Sequence, residues 1–224
     1  MRGVPVVVWV GFAAFVGLGL PEATLGVTWP SIRAEMGRPL SSLGILLGAL
    51  TAGYLPASAL SGRVVARVGA GTMLGAATAI YVAAMGLYLW GPGFAALVLG
   101  SFLGGIAAGA IDPGINAHFA VHHGTRAMNL LHACFGIGAT AGPLVATVVL
   151  GWGGSWRLPY ALYAVVQLGM LAAQLITARA RVRVQIEKRL LFLFQRLDDQ
   201  ALNGMFKDVG VVASVKAVAI TEHG

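Results

Sequence analysis

Two acidic residues, Glu22 and Asp112, interrupt long apolar stretches of the sequence, and each of them adjoins a proline. An ionised carboxylate in hydrocarbon is costly, so each acid requires a water-filled cavity, a partner or a proton. Removal from water disfavours the charged form of a carboxyl group, which lets it gain and lose a proton near neutral pH. Both residues are therefore candidates for proton coupling. The alternative for Glu22 is a carboxylate that reaches an outer vestibule or caps a kink at Pro21.

Further polar residues are expected close to Asp112. Asn116 follows it by four positions, so the two share a helix face. The next apolar stretch returns as the second arm of a hairpin, which brings Asn129 and His132 to about the same depth. Such a cluster would make a proton site beside a cavity for hydroxyl groups, with His132 sharing or relaying the proton. The alternative is an interhelical hydrogen-bond clamp.

Tyr54 and Gln167 are the remaining candidates for contact with a polar substrate, with ordinary packing as the alternative. No catalytic or cofactor chemistry is expected. The sequence contains no G-x-S-x-G, H-E-x-x-H or Walker-type motif. Cys134 is the only cysteine, and the adjacent pair His122 and His123 is poor geometry for a metal site without other ligands.

The composition indicates the class of protein fold that positions these residues. Of the 224 residues, 58% are hydrophobic and only 10% are charged, whereas a soluble domain carries about 25% charged residues. A soluble enzyme, a disordered chain and a nucleic-acid-binding protein are therefore all poor fits. The net charge of +7 suits a membrane face near anionic lipid if the positive residues cluster on one side.

A membrane-spanning helix needs about 20 mostly apolar residues, and six such runs are present. Because the connections between them are short, they predict a compact all-α membrane bundle. The runs are Val4–Trp29, Leu43–Ser61, Thr72–Trp90, Phe94–Val121, Met128–Gly151 and Leu158–Ala178.

The positive residues predict the orientation. With the N-terminus in the cytoplasm, nine Lys or Arg residues fall on inner segments and three on outer loops, as the positive-inside rule requires. The chain is thus expected in the plasma (inner) membrane with both termini cytoplasmic. The inner residues are Arg2, Arg63, Arg67, Arg126, Arg179, Arg181, Arg183, Lys188 and Arg189, and the outer residues are Arg33, Arg38 and Arg157. Four tryptophans, Trp29, Trp90, Trp152 and Trp156, are expected at the outer interface.

The composition changes after the sixth run, so residues 1–183 are expected to form the six-span bundle and 184–224 a cytoplasmic tail. Val184–Leu197 is basic and amphipathic. It either lies on the inner leaflet or continues as a cytoplasmic helix leading out of the bundle.

The segment after the second run, Gly62–Gly71, reads GRVVARVGAG. It resembles the G-x-L-x-D-R-x-G-R-R signature of the major facilitator superfamily, at the place expected between spans two and three. Gly62, Arg67 and Gly69 agree with it, and Ala66 replaces its acid. In that family the acid helps to lock the two halves of the transporter at the cytoplasmic face, so that lock is in doubt here.

Two further segments carry the resemblance. The fourth run contains GSFLGGIAAGAIDPGIN (residues 100–116), and the fifth contains NLLHACFGIGA (residues 129–139). They are similar to the G-x-x-[acid]-x-x-x-N and N-x-x-[Q/H]…G-A patterns of the fucose–proton symporter branch and related sugar-type permeases.

The resemblance implies one half of a twelve-span transporter, built as a 3+3 inverted repeat, that binds its substrate between two halves and works by alternating access. It implies a small solute such as a sugar and protons as ligands, and membrane lipid together with a second six-helix half or a homodimer as partners. Two alternatives stay open. One is an efflux carrier for an apolar compound, and the other is a non-transporting fragment or an interaction subunit of a membrane transporter.

Overall fold

The computed structural model describes residues 6–178, and all regular structure within that range is α-helical. The chain divides into the compact units Met1–Leu175 and Ile176–Gly224, and of the second unit only residues 176–178 are described. The predictions for the basic run at 179–189 and the tail at 184–224 lie outside the described residues. The helices are α1 Val6–Glu22, α2 Thr24–Glu35, α3 Ser42–Val68, α4 Ala70–Trp90, α5 Gly93–His122, α6 Gly124–Gly151 and α7 Arg157–Ala178.

Six segments of the described range are long and apolar enough to cross a membrane. α1 and α2 together form the first span, Val8–Glu35, and each of the helices α3 to α7 supplies one more. The shortest of them, α4, has 21 residues, which is enough to cross a hydrocarbon core. The predicted all-α, six-span membrane fold is confirmed, and the chain is a multi-pass membrane protein.

Several helices extend beyond the apolar runs that predicted them. The first span continues past Trp29 to Glu35 and takes in Arg33, which was expected in the following loop. α6 likewise begins at Gly124 instead of Met128. Apolarity marks the part of a helix that lies in hydrocarbon, whereas the hydrogen-bonded backbone continues into the interfacial region, where charged side chains are solvated.

The expected break at 62–71 shrinks to a single residue. α3 continues to Val68, and α4 starts at Ala70. Gly69 between them has φ +82°, a backbone conformation that costs glycine little and other residues much more. Spans two and three are therefore joined by a tight turn whose formation depends on this glycine.

The first span is interrupted in its middle. Pro21 has no N–H, so within α1 it cannot pair with the carbonyl of Gly17 as a helical residue would. α1 ends at Glu22, Ala23 forms a turn, and α2 begins at Thr24. The interruption therefore leaves Glu22 at a helix end close to the midpoint of the first span.

α3 and α5 pack with their backbones in direct contact through glycines. A methyl group added at Gly105 would collide with the carbonyl oxygen of Leu50, and one added at Gly109 would collide with that of Tyr54. Small residues at such positions let membrane helices approach closely. This contact fixes the position of Tyr54 against α5.

α1 and α6 form a second close pair of the same kind. A methyl group at Gly138 would collide with the carbonyl oxygen of Val16, and one at Gly142 with that of Leu20. The first pair joins spans two and four, and the second joins spans five and one. If spans 1–3 are matched in order with spans 4–6, span two corresponds to span five and span four to span one. The first pair then maps onto the second, as expected for an inverted repeat.

The tryptophans expected at the outer interface divide into two groups. Trp90 and Trp152 are 82% and 85% exposed, as interfacial anchors would be. Trp29 and Trp156 are instead 1% and 3% exposed, so their rings pack inside the bundle, and the interfacial depth expected for them stays a prediction. The Trp29 ring lies next to Phe94, with ring centroids 6.5 Å apart.

Candidate functional site

Asp112 on α5 accepts two short hydrogen bonds inside the bundle. Tyr54 Oη on α3 donates to Oδ2 over 2.8 Å, and Asn116 Nδ2 donates to Oδ1 over 2.7 Å. The bond to Asn116 is the one that the i, i+4 spacing predicts. Tyr54 reaches Asp112 because the glycine contact brings α3 against α5. The carboxyl group is therefore oriented by two donors on two different helices.

Asp112 opens onto a cavity of about 210 Å³. This volume lies below the range of about 300–1,000 Å³ typical of sites for drug-sized ligands, so the cavity suits a small solute. Its lining places a carboxyl and a hydroxyl group next to aromatic rings, a combination that can bind hydroxyl groups and pack against C–H surfaces. Four helices (α1, α3, α5 and α6) contribute to it through Phe15, Leu18, Glu22, Tyr54, Ala108, Asp112, His132 and Phe135.

Glu22 lines the same cavity from α1, so the two carboxyl groups of the membrane interior face one space. It also lines a smaller cavity of about 50 Å³, which has room for a few water molecules. In this second cavity the hydroxyl groups of Tyr88 and Ser101 lie 2.7 Å apart. Because Glu22, Tyr54 and Ala108 line both cavities, Glu22 lies where the two meet.

His132 reaches the larger cavity from α6, and its ring packs edge-on against Phe15 with centroids 6.1 Å apart. Asn129 is exposed on the same helix, one turn earlier, and is not among the described residues that line the cavity. The structure thus brings His132, Asp112 and Glu22 to one space. The part assigned to Asn129 in substrate binding stays a prediction.

One acceptor next to Asp112 has no donor. Asn116 Oδ1 is buried and lacks a hydrogen-bond partner among the described residues. A buried acceptor left in this state costs about 1–3 kcal/mol, which a water molecule or a hydroxyl group of a solute would recover. Within residues 6–178 no group of three or more His, Cys, Asp or Glu side chains is placed to hold a metal ion.

Gln167 lies in the core, 2% exposed, and is not among the described residues that line either cavity. Its Nε2 donates to the backbone carbonyl of Gly17 over 2.9 Å. The side chain therefore joins α7 to α1. Its expected contact with substrate stays a prediction that this arrangement does not favour.

Two residues of the predicted loop motif lie on a helix. Gly62 and Arg67 belong to the last turns of α3, where both are exposed, and only Gly69 lies in the turn. The N–H of Gly69 donates to the carbonyl of Val65 over 2.9 Å and closes the helix. The motif therefore marks the end of α3 and the reversal into α4.

A polar clamp that the sequence analysis missed joins the ends of α2 and α7. Arg157 Nη1 lies 2.7 Å from Glu35 Oε1, and Trp156 Nε1 donates to Glu35 Oε2 over 2.6 Å. The Arg157 guanidinium also lies 4.2 Å from the centroid of the Trp156 ring. The Trp-Arg pair at the start of α7 is visible in the sequence, but nothing local identifies a partner 121 positions away.

The comparisons with known proteins point to one family. Residues 10–215 match the family profile of the Major Facilitator Superfamily. The chain is 30% identical over 147 residues to the Sodium-dependent glucose transporter 1A of Mus musculus, which covers 63% of this chain and 34% of that protein. It is 31% identical over 144 residues to the Sodium-dependent glucose transporter 1 of Homo sapiens, which covers 62% of this chain and 27% of that protein.

The chain spans about a third or less of the length of these curated relatives. The family profile, in contrast, covers most of the chain, from the first span to beyond the last described helix. The six spans and the two matching glycine-packed pairs are the architecture that the resemblance implied. The chain belongs to the Major Facilitator Superfamily.

Proposed function

We propose that this chain is the site-bearing half of a secondary active carrier that moves a small hydroxylated solute of the sugar class by alternating access. The observation that carries the proposal is Asp112, which is oriented by Tyr54 and Asn116 at the edge of a 210 Å³ cavity. The names of the relatives, which are glucose transporters, support a sugar as the solute.

The groups at the cavity suit a neutral polyol. The carboxyl groups of Asp112 and Glu22 accept hydrogen bonds from hydroxyl groups of the solute. Asn116 is not among the described residues that line the cavity, so its part in substrate binding stays a prediction. Phe15 and Phe135 supply apolar surface for the C–H face of a ring. Such a mixture of a few polar groups with aromatic walls is typical of small-molecule sites.

A neutral solute accumulates only if its movement is coupled to an ion gradient, and Glu22 and Asp112 supply the coupling site. Both acids face the larger cavity, and two carboxylates that share a site favour binding of a cation because like charges repel. The proton is the ion we assign to them, with His132 as a group on the same cavity that can share or relay it.

Sodium is the second candidate for the coupling ion. The names of the relatives describe sodium-dependent transport. The same two carboxyl groups would then supply oxygen ligands, and the pH dependence of transport would give way to a dependence on the sodium concentration.

Alternating access also requires a partner that closes the cavity, and we assign this part to a second six-helix half or a second copy of the chain. We place the end that carries Arg63, Arg67 and Arg126 in the cytoplasm, with the Arg157 end outside, because positive residues favour the inner face.

The test is uptake of labelled glucose by proteoliposomes that contain the full chain, with a second copy of the chain as the closing partner, under an inward proton gradient, an inward sodium gradient or none. We expect accumulation under the proton gradient, and Asp112→Asn should abolish it without loss of protein from the membrane. Glu35→Gln is the matched control, since Glu35 lies in the clamp with Arg157 and should leave accumulation in place. Accumulation that survives Asp112→Asn would overturn the assignment, and accumulation under sodium alone would assign the coupling to sodium.

A further inference from the structure

Pro21 leaves one backbone carbonyl of the first span without its helical donor, and a side chain from another helix supplies that donor. In a regular helix the carbonyl of residue 17 would accept a hydrogen bond from the N–H of residue 21. Residue 21 is proline, which has no N–H. The carbonyl of Gly17 instead accepts from Gln167 Nε2 of α7 over 2.9 Å. The amide of Gln167 thus supplies the donor that Pro21 removes.

The surroundings of Gln167 favour this hydrogen bond. Gln167 is 2% exposed, and in the membrane no water replaces a missing donor, so an unpaired carbonyl there is costly. A methyl group at Gly17 would lie 2.9 Å from Met170 Sδ and 3.3 Å from Gln167 Nε2, so the absence of a side chain at Gly17 lets α7 approach. Gln167 Oε1 is buried without a partner among the described residues. The buried amide therefore carries the free-energy cost of an unpaired oxygen. A side chain that only filled space would avoid that cost.

We propose that Gln167 is a positioning residue, which caps the Gly17 carbonyl and so holds the helix break at Pro21–Ala23 that presents Glu22 to both cavities. Glu22 immediately follows Pro21 and is the last residue of α1, so any change at the break moves its carboxyl group. This inference extends the proposed function, because it explains how the coupling carboxyl group is held, and it assigns Gln167 a role away from the substrate.

Any measurement on Glu22 must take account of the titratable groups around it. They come from five of the helices that line the two cavities, namely α3, α4, α5, α6 and α7. These groups are Tyr54, Tyr81, Tyr88, Asp112, His132 and Tyr160. None of them contacts Gln167 in the described hydrogen bonds, so substitution of Gln167 acts on Glu22 through the backbone of α1.

The test measures Glu22 directly and does not require transport. A hydrophobic carbodiimide adds to protonated carboxyl groups in membranes, and mass spectrometry of the peptide that contains Glu22 gives the rate of addition at each pH. At pH values well above the midpoint of the profile, Gln167→Leu should change this rate at least about threefold, which corresponds to a shift of about half a unit in the pH midpoint. Pro21→Ala restores the missing N–H, so Gln167→Leu should have little further effect in a chain that carries Pro21→Ala.

Gln174→Leu is the matched control. Gln174 is a buried glutamine on the same helix, and its Nε2 donates to Thr78 Oγ1 of α4 over 3.2 Å. Its substitution should leave the Glu22 profile unchanged.

An unchanged profile in Gln167→Leu, or an effect of equal size with and without Pro21→Ala, would overturn the proposal. If Gln167→Leu is not recovered from membranes, recovery of the double variant with Pro21→Ala supports the proposal, and its equal loss contradicts it. Since the chemical readout is independent of uptake, a failed transport assay leaves this result standing.

Discussion

Asp112 accepts one hydrogen bond from its own helix and one from a neighbouring helix. The first depends on the spacing within α5, and the second depends on how α3 packs against α5. Asn116 lies one turn away on α5, so any helix in this region would place it near Asp112. Tyr54 reaches Asp112 over 2.8 Å only because α3 lies against α5 at Gly105 and Gly109. The hydrogen bond from Tyr54 therefore requires the correct packing of α3 against α5 as well as the hydroxyl group itself.

Removal of the Tyr54 hydroxyl group tests this contact. Tyr54→Phe keeps the ring and deletes the donor to Asp112, and a hydrogen bond to a charged group contributes about 1.5–3 kcal/mol. We expect the initial rate of glucose uptake by proteoliposomes to fall roughly ten- to a hundredfold, with the amount of folded protein unchanged.

Tyr88→Phe is the control for this change. It also removes a tyrosine hydroxyl group from the bundle, one that lies next to Ser101 and makes no described contact with Asp112. It should reduce uptake much less than Tyr54→Phe. Equal effects of the two substitutions would show that the loss reflects general packing rather than the orientation of Asp112.

At this scale the sequence predicts contacts within a helix better than contacts between helices. The pairing of Asp112 with Asn116 follows from spacing alone. The hydrogen bonds of Tyr54 to Asp112 and of Gln167 to Gly17 do not, since each depends on where a distant helix lies. Phe15 and Phe135 were missed as cavity walls because single aromatic residues in apolar runs are far more often packing residues.

Two glycine-lined helix pairs, α3 with α5 and α1 with α6, form the frame of the cavity. Gly53 extends the first contact, because a methyl group there would meet the backbone of Phe102. Gly19 extends the second, because a methyl group there would meet the backbone around Phe135. Backbone atoms cannot move aside as the end of a flexible side chain can, so larger residues at these positions must push the helices apart.

Alanine at an interface glycine should therefore destabilise the bundle. Gly105→Ala and Gly142→Ala each place a methyl group against a carbonyl oxygen, of Leu50 and of Leu20 respectively. Overpacking of this kind costs typically about 1–3 kcal/mol. We expect a lower apparent Tm of the detergent-solubilised chain for each variant, measured by thermal unfolding.

Gly48→Ala on α3 and Gly136→Ala on α6 are the controls. An added methyl group at either position meets nothing within 4 Å, and alanine favours a helix over glycine by about 1 kcal/mol. The Tm should stay the same or rise. A fall equal to that of the interface variants would contradict the helix pairing described above.

At the scale of elements, long apolar runs predicted all six spans. They failed at the ends, where Arg33, Gly62 and Arg67 lie on helices although the local sequence is polar or glycine-rich. The helix break after Pro21 was anticipated only as a kink that Glu22 would cap. A sequence does not show which carbonyl a proline leaves without a donor until the position of α7 is known.

In the whole molecule, the two helix pairs lie around one space, and each pair brings one carboxyl group to it. Glu22 comes from α1 and Asp112 from α5, although 90 positions separate them in the sequence. The clamp of Glu35 with Arg157 lies at the end of the first span, 13 residues beyond Glu22. The membrane interior thus contains one shared site for both acids, away from the charged clamp.

The sequence alone indicated that both acids lie in the membrane, and it did not indicate that they share a cavity. Their separation in the chain carries no information on distance. The shared cavity results from helix packing through Gly105, Gly109, Gly138 and Gly142. The helices that these glycines contact could not be assigned without the fold.

Cross-linking of positions 22 and 112 tests the central claim, that both carboxyl groups face one cavity, most directly. Since Cys134 is the only native cysteine, Cys134→Ser gives a background for the pair Glu22→Cys and Asp112→Cys. A short bifunctional thiol reagent, applied to membranes that contain the full chain, should bridge this pair within one chain, as detected by mass spectrometry. The pair Glu35→Cys and Asp112→Cys should not be bridged, because position 35 lies about 20 Å further along the span at 1.5 Å per residue. Failure to bridge positions 22 and 112, with both cysteines shown to react singly, would contradict the account.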